Sequence, residues 1–246
     1  MNKVIRCRNK NNNKIIVLLV LQVFIGVAPV LMLISFVGFK MYEEKPLAIV
    51  FIILIFLCNA AYIILARQYN ILNSGRRGEK LLYKAVKKLD GGNIIFCNLP
   101  VRYKRGRSEV DALIISRKGI ITVEVKNHSG TIQGSWKDEK WLQRKHYKEK
   151  TTEQEMDNPL KQMRRQRDIV KSILNAEGEN VWIDSILFFS NNNVKLRLNL
   201  RETDMVCLGS EELIKTLENY EGKTELSRSE MEKIAAVLSD ACLKVK

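Results

Sequence analysis

Histidine and cysteine are scarce in this chain of 246 residues, which contains 2 histidines and 5 cysteines. The number of cysteines is odd, and no two of them have the CxxC spacing that is typical of zinc and redox sites. The two histidines show no HxxxH spacing. A disulfide framework and a zinc site are therefore not predicted, and the composition fits a reducing cytoplasm. Internal repeats and low-complexity tracts are also absent from the sequence.

Acidic residues are in deficit. The chain has 41 lysines and arginines against 27 aspartates and glutamates, a formal net charge of +14. Between residues 76 and 126 there are 13 basic residues and 5 acidic ones. Such a concentration of positive charge is typical of proteins that bind a phosphate backbone. Two alternatives stay open, namely a merely solvated surface and attraction to anionic lipid next to a membrane.

Formal charge is missing from two long apolar runs, residues 15–39 and 47–66. A helix needs about 20 residues to cross a bilayer, and both runs are long enough. A cleaved signal peptide has a shorter apolar core and a small-residue cleavage site, and the second run argues against one. A hairpin buried in a soluble core is a further alternative, which two uninterrupted apolar runs disfavour. We therefore predict two transmembrane helices at 15–39 and 47–66.

The charges that flank these runs predict their orientation. Residues 1–14 carry five basic residues and no acid, and Arg67, Arg76 and Arg77 follow the second run. The connection, residues 40–46, has two lysines and two glutamates and is formally neutral. Because positive charge collects on the cytoplasmic side of a membrane, we expect a multi-pass protein of the cell membrane with both termini in the cytoplasm and an external loop at 40–46.

Three short runs rich in Ile and Val, bounded by turn residues, predict neighbouring strands in the middle of the chain. They are residues 94–101, 110–116 and 119–126. A hairpin turn joins the last two, with Gly119 where positive φ is required. In the resulting register Asp111 lies opposite Glu124, with Cβ atoms roughly 5 Å apart, and Lys126 shares their face. A bulge at Gly119 would shift this register by one residue.

Two carboxylates on one patch repel each other, and a divalent cation removes that penalty. Mg²⁺, or Mn²⁺ in its place, typically binds one or two carboxylates together with water and substrate phosphate. Such an ion polarises a phosphoryl group and generates a hydroxide nucleophile, while Lys126 orients the water or stabilises the developing charge. The alternative is a structural ion cluster in which Lys126 merely neutralises Asp111 and Glu124. These three residues alone leave both interpretations open.

Two predicted helices add candidate residues. The first covers 75–89 with Ser74 as its N-cap, and Glu79 lies on its apolar stripe, where an acid is costly unless it is paired or binds metal. The alternative for Glu79 is a favourable interaction with the helix dipole. The second helix begins near Asn158-Pro159. Gln162 faces inward at its edge, where it either hydrogen-bonds a substrate or carboxylate or is an ordinary polar residue.

A basic loop with one aromatic ring is predicted between the first two strands. Its residues are Arg102, Tyr103, Lys104, Arg105 and Arg107. Cations next to an aromatic ring suit a loop that grips a nucleic-acid backbone or stacks a base. Solvated charge and binding of anionic lipid are the alternatives.

The remaining sequence predicts further elements of the same domain. The charge-dense segment 137–157 is expected to form a hairpin or a flap that lies over the active site. Residues 181–190 and 205–208 are expected to form additional strands. Ser227 and Glu230 have capping-box spacing, which predicts the start of a C-terminal helix.

Five motifs follow one another through the central part of the chain. They are Gly75–Lys80, Glu109–Asp111, Gly119–Asn127, Gly130–Gly134 with Trp136 and Trp141 after it, and Asn158–Gln162. Together they resemble the NERD domain, the nuclease-related domain, over about residues 75–190. NERD is similar to the PD-(D/E)xK nuclease superfamily, although Val110 stands where the superfamily name has proline.

This resemblance implies an α/β fold, a restriction-endonuclease-like mixed sheet flanked by helices, here preceded by two transmembrane helices. It implies Asp111 and Glu124 as metal ligands and Lys126 as the catalytic lysine. Glu79 becomes the acid on the first helix, which supports the metal, and Gln162 the polar residue on the helix after the sheet. Residues 191–246 are expected to pack on the domain as a strand and helices.

The sequence therefore predicts a membrane-anchored nuclease that uses Mg²⁺ or Mn²⁺ to hydrolyse DNA or RNA at the cytoplasmic face. Its expected partners are nucleic acid and the lipid bilayer. One alternative is a non-catalytic nucleic-acid-binding or scaffold module with the same fold. Another is a membrane-surface interaction protein whose basic face binds anionic lipid.

Overall fold

The computed structural model describes residues 2–7 and 11–243, which form two compact units. One unit consists of residues 11–76, and the other of residues 2–7 and 77–243. The predicted basic segment 1–14 thus contributes to both units. Its positions 1 and 8–10 lie outside the described residues, as do the last three positions of the chain.

The helices and strands of the described residues are numbered here in chain order. The helices are α1 (Asn11–Gly38), α2 (Lys45–Val86), α3 (Pro159–Ala176), α4 (Gly209–Glu218) and α5 (Arg228–Leu243). The strands are β1 (Lys3–Arg6), β2 (Ile94–Tyr103), β3 (Gly106–Ser116), β4 (Gly119–Lys126), β5 (Gly130–Ser135), β6 (Lys140–Tyr147), β7 (Lys150–Asp157), β8 (Ile183–Phe189), β9 (Val194–Asn199) and β10 (Met205–Leu208).

The unit of residues 11–76 contains α1 and the first part of α2, joined by a short 3₁₀ turn. Both helices are long and apolar enough to cross a membrane, and almost none of the residues in their apolar stretches is buried. A Cβ on Gly26 would lie 3.3 Å from the ring of Tyr62, and the rings of Phe36 and Phe51 have centroids 5.5 Å apart. Because later residues of α1 meet earlier residues of α2, the two apolar helices run antiparallel.

Helix α2 is longer than the sequence predicts. The expected separate helix from Gly75, with Ser74 as N-cap, is wrong, because both residues lie inside α2. Residues 67–73 contain no proline or glycine that would end the helix. A lone glycine costs a helix interior only about 1 kcal/mol. The apolar stretch of α2 therefore continues as one helix into the polar sequence that carries Glu79.

The larger sheet has the strand order β1-β2-β3-β4-β8-β10. Strands β2, β3 and β4 are antiparallel neighbours, whereas β1 on β2, β4 on β8 and β8 on β10 are parallel pairs. This confirms the predicted α/β class with a mixed sheet flanked by helices. All five strands predicted in this sheet are present, as β2, β3, β4, β8 and β10.

Helices cover both faces of this sheet. On one face, called the α2 face below, Leu82 and Val86 of α2 and Leu213 of α4 pack against the strands. On the other, called the α3 face, Val170 of α3 and Ile234 of α5 do the same. The two apolar layers bury the sheet on both sides, which explains its nearly continuous runs of Ile, Val and Leu.

A second sheet, with the order β7-β6-β5-β9, lies beside the first helical turn of α3. Its β6–β7 hairpin is the one predicted for residues 137–157. Ile132 and Trp141 pack with Leu160 and Met163 of α3, and Trp141 is fully buried. This packing anchors the end of α3 that carries Gln162.

Strand β1 is not predicted from the sequence, and neither are β5 and β9. The four residues of β1 pair with Ile94–Cys97 of β2. The side chain of Asn2 donates to the carbonyl oxygen of Leu89 and accepts from the backbone N–H of Asn93. A run of four residues shows too little periodicity to be recognised, and its partner lies about ninety residues away in sequence. The strand covers an edge of the sheet that would otherwise be open.

The packing of β1 predicts how substitutions in this strand change stability. The measurement is the melting temperature of the full-length protein in detergent. Ile5 packs against the α3-face core, whereas Lys3 is exposed. Ile5→Asp is expected to destabilise the domain by about 2 kcal/mol, because it pushes a charge against apolar neighbours. That loss corresponds to a melting temperature lower by roughly 4–8 °C. Lys3→Asp is the matched control and leaves it nearly unchanged, and equal melting temperatures for both variants would show that β1 is not docked in solution.

Candidate active site

The turn between β3 and β4 sets the register of the candidate site. Gly119 has a φ of +123°, and pairing runs without interruption from Ser116 with Gly119 to Ala112 with Val123. This is the register predicted from the sequence, with no bulge, and it places Asp111 at the level of Glu124. Pairing of the two strands ends there although both strands continue.

Beyond the last backbone pair, the carboxylate of Asp111 connects β3 to β4. Its Oδ2 atom accepts a 2.8 Å hydrogen bond from the backbone N–H of Val125 on β4. Burial raises the pKa of Asp111 well above its usual range, and the nearby carboxylate of Glu124 raises it further. The Val125 N–H and the Lys126 ammonium act in the opposite direction. Asp111 therefore sits where an additional positive charge would be favourable.

Glu124 is the buried centre of the cluster, with only 2% of the residue exposed. Nζ of Lys126 donates to its Oε1 at 2.7 Å, and Nε2 of Gln166 donates to its Oε2 at 2.6 Å. The Lys126 ammonium donates a second bond, of 2.9 Å, to Oε1 of Gln162. The structure thus brings the predicted residues Glu124, Lys126 and Gln162 into direct contact.

Gln166 is a member of the site that the sequence analysis misses. It is fully buried, and its Nε2 also donates to the backbone oxygen of Glu109 at 2.7 Å. Its Oε1 is buried without a hydrogen-bond partner among the described residues. A buried acceptor of this kind is costly, by about 1–3 kcal/mol, and marks a place where a donor such as water belongs. The available signal was its spacing, one helical turn after the inward-facing Gln162.

Glu79 enters the site from α2. The preceding residue is Gly78, where a Cβ would lie only 3.1 Å from Oγ of Ser190, so the glycine permits a close approach of helix and strand. Oε2 of Glu79 accepts a 3.0 Å hydrogen bond from Nδ2 of Asn98. The negative charge of Glu79 is also among the causes that raise the pKa of Asp111. Asn98, a polar residue within the apolar run Ile94–Val101 of β2, was not predicted as part of the site.

The side chains of this site can be compared with the ligands that a divalent cation requires. Within residues 2–7 and 11–243, no group of three or more His, Cys, Asp or Glu side chains is placed to hold a metal ion. Mg²⁺, however, commonly uses one or two carboxylates and completes its shell with water and phosphate. Asp111 and Glu124 supply two, and a carboxylate oxygen accepts more than one bond. Because the unpartnered Oε1 of Gln166 suits a metal-bound water, these residues fit a two-carboxylate site.

The predicted basic loop is the end of the β2–β3 hairpin. Lys104 and Arg105 form the turn itself, whereas the other predicted members, Arg102, Tyr103 and Arg107, belong to the strands. A cleft of about 530 Å³ lies between this turn and α3. Its walls carry cations from both elements, namely Lys104, Arg105, Lys161, Arg164 and Arg165. The α3 contribution went unrecognised in the sequence.

Contacts with neighbouring groups shape this cleft. Nη2 of Arg165 donates to the backbone oxygen of Arg107 at 2.9 Å, which ties the hairpin to α3. Nη2 of Arg164 donates to both carboxylate oxygens of Asp204, at 2.8 and 3.1 Å. Lys161 directly precedes Gln162, so helix α3 contributes residues both to the cleft and to the carboxylate cluster.

Comparison with known proteins identifies the central part of the chain. Residues 74–190 match the family model of the nuclease-related domain. An uncharacterized protein of Bacillus anthracis is 35% identical over 71 residues, which are 28% of this chain and 34% of that protein. The chain thus matches about a third of that relative's length. No solved structure matches the chain. Residues 74–190, which include all five predicted catalytic residues, are a nuclease-related (NERD) domain.

Proposed function

We propose that this protein is a membrane-anchored nuclease that uses Mg²⁺ or Mn²⁺ to hydrolyse phosphodiester bonds of DNA or RNA at the cytoplasmic face. One observation carries the proposal: two carboxylates, Asp111 and Glu124, lie next to the Lys126 ammonium and the unpartnered acceptor of Gln166. A module that only binds a polyanion has no need for clustered acids in its interior, since these repel the ligand.

Each residue then has a defined task. Asp111 and Glu124 hold the cation, which would polarise the phosphoryl group and lower the pKa of a bound water. The Lys126 ammonium, fixed between Glu124 and Gln162, stabilises negative charge that develops on the phosphate. Gln166 orients Glu124 and offers its free Oε1 to a water. Glu79 supports the cation from the α2 face.

The nucleic acid is proposed to lie along the cleft between the hairpin turn and α3. Helix α3 has five cations and a single acid, Asp168. The cations are Lys161, Arg164, Arg165, Arg167 and Lys171. Arg102, Tyr103, Lys104, Arg105 and Arg107 are proposed to contribute the opposite wall. A phosphate chain neutralised there reaches Gln162, and with it the carboxylates, within one helical turn.

A non-catalytic nucleic-acid-binding module is the second candidate function. The observation in its favour is the 2.7 Å ion pair of Lys126 with the buried Glu124. This pair already compensates one carboxylate, as a purely structural cluster would. Such a module would retain the basic cleft and its salt-dependent binding but would not cut.

The membrane location is a proposal from two independent observations. The apolar helices are exposed and of sufficient length, and the residues on either side of them, β1 before and the strands after, belong to one sheet. Two spans return the chain to the side from which it started, which a shared sheet requires. The basic flanks favour the cytoplasm as that side.

The catalytic proposal predicts metal-dependent cleavage by the full-length protein in detergent. Single- and double-stranded DNA and RNA are incubated with Mg²⁺, Mn²⁺ or a chelator. Asp111→Asn and Lys126→Met are expected to slow cleavage by at least about 100-fold. The first removes a carboxylate that would hold the cation, and the second removes the ammonium that stabilises negative charge in the transition state. The exposed residues Glu225 and Lys84 provide matched controls, Glu225→Gln and Lys84→Met, which retain activity.

Two outcomes would contradict this assignment. Cleavage that survives in both site variants would place the activity elsewhere, either in the chain or in a contaminant. A wild-type protein that binds nucleic acid tightly and never cuts it, with either metal, would favour the binding module instead.

The proposed cleft predicts a change in the salt dependence of binding, measured with a duplex in chelator so that no cleavage occurs. The double variant Lys104→Ala, Arg105→Ala should bind more weakly. The plot of log association constant against log salt concentration should become less steep, by about 0.9 for each lost phosphate contact. Lys84→Ala with Lys88→Ala removes the same charge on the α2 side of the sheet and is the matched control. An identical slope for both double variants would mean that only overall charge matters.

The proposed topology predicts opposite reporter signals at two positions. Alkaline phosphatase inserted between residues 40 and 46 should be active, because that enzyme requires export from the cytoplasm. A green fluorescent protein at the C-terminus should fluoresce, because it remains inside. An inactive phosphatase together with a non-fluorescent C-terminal reporter would show that the protein has the opposite orientation in the membrane.

A further inference from the structure

Strands β2 and β3 change their side-chain alternation at the same level of the sheet. Successive side chains of a strand point to opposite faces, so residues two apart share a face. In β2, Cys97 packs on the α2 face but Leu99 packs on the α3 face. In β3, Ala112 packs on the α2 face but Val110 packs on the α3 face. Each strand therefore has one residue that breaks the period.

The two residues that break the period are Asn98 and Asp111, and they face each other. Cys97 pairs with Ala112 and Leu99 with Val110 in one unbroken register. Asn98 consequently lies opposite Asp111 between two regular pairs. The break changes the direction of side chains without inserting or deleting a residue in either strand.

Asn98 adopts a backbone conformation that is unusual for a strand interior. Its φ is +55°, in the left-handed region. The other non-glycine residues with positive φ in the described part of the chain lie in connections, namely Lys40, Lys104 and Lys148. Asparagine tolerates this region better than most residues do. No turn requires it here, and locally strained residues are concentrated at functional sites.

The conformation determines which helix Asn98 meets. Regular alternation would direct its side chain to the α3 face, since Cys97 before it points to the α2 face. Instead the side chain is on the α2 face, where Nδ2 lies 3.0 Å from Oε2 of Glu79. Asn98 is almost completely buried, at 4% exposure.

We propose that Asn98 is a positioning residue, whose left-handed backbone aims its amide at Glu79 and holds that carboxylate beside Asp111. This rests on the proposed metal site. Glu79 is only half-buried, so the hydrogen bond keeps its carboxylate directed at the site. A cation held by Asp111 and Glu124 would then experience a third negative charge, which would increase its affinity.

Two substitutions separate the backbone role from the amide role. Asn98→Gly keeps the freedom to adopt positive φ but removes the amide, whereas Asn98→Ala removes both. The measurement is Mn²⁺ binding to the full-length protein in detergent by titration calorimetry, with thermal unfolding as a check of the fold. Asn98→Gly is expected to unfold near the wild-type temperature yet bind Mn²⁺ about 10-fold more weakly. Substitution of a residue that orients a metal ligand typically lowers metal affinity by this amount.

A double variant tests whether Asn98 acts through Glu79. If it does, Asn98→Gly adds nothing to the loss already caused by Glu79→Gln, because the two residues form one interaction. A double variant whose loss of affinity equals the product of the two single losses, as independent sites would give, would overturn the proposal. So would an Asn98→Gly protein that is folded and binds Mn²⁺ as well as wild type.

The same titrations distinguish failure of this inference from failure of the proposed function. Wild-type protein that binds no Mn²⁺ at all would refute the metal site, and the role of Asn98 in it. Wild-type binding that is lost in Asp111→Asn but unchanged in Asn98→Gly would keep the metal site and refute only the role of Asn98.

Discussion

Two carboxylates held side by side in the interior of the sheet are the constraint on which the rest of the site depends. Burial raises the pKa of Asp111, and the nearby carboxylate of Glu124 raises it further, so ionisation of Asp111 is costly. The surrounding groups are mostly donors: the Val125 N–H on Asp111, and Lys126 and Gln166 on Glu124. Removing the partner of a buried charge typically costs about 3–5 kcal/mol, so these neighbours stabilise the fold whether or not the site is catalytic.

This arrangement explains the position of helix α3. Its first turn is anchored by the second sheet, through Leu160 and Met163. From there one face carries Gln162 to Lys126 and Gln166 to Glu124, while the adjacent face carries Lys161 and Arg165 to the basic cleft. A single helix thus connects the element that would bind phosphate with the element that would act on it. Neutralisation of the phosphates and alignment of the scissile bond would then be coupled by rigid geometry.

The sequence predicted the parts of the site that depend on local rules. The turn at Gly119 fixed a register in which Asp111 meets Glu124, and strand alternation placed Lys126 beside Glu124. The parts that it missed depend on distant contacts or on backbone conformation. Strand β1 is recognisable only by its partner β2, and the left-handed φ of Asn98 follows from no local turn signal. The continuity of α2 through Ser74 and Gly75 was misjudged because helix-capping residues also occur within helices.

The central claim is that Asp111 and Glu124 share one divalent cation. Crystals of the full-length protein grown with Mn²⁺ would test it most directly, through the anomalous scattering of the metal. The account predicts one strong peak between these carboxylates, with a bound water that donates to Oε1 of Gln166. A map without such a peak at saturating Mn²⁺, and with the Lys126–Glu124 ion pair intact, would contradict it and leave a structural ion cluster on a nuclease-related fold.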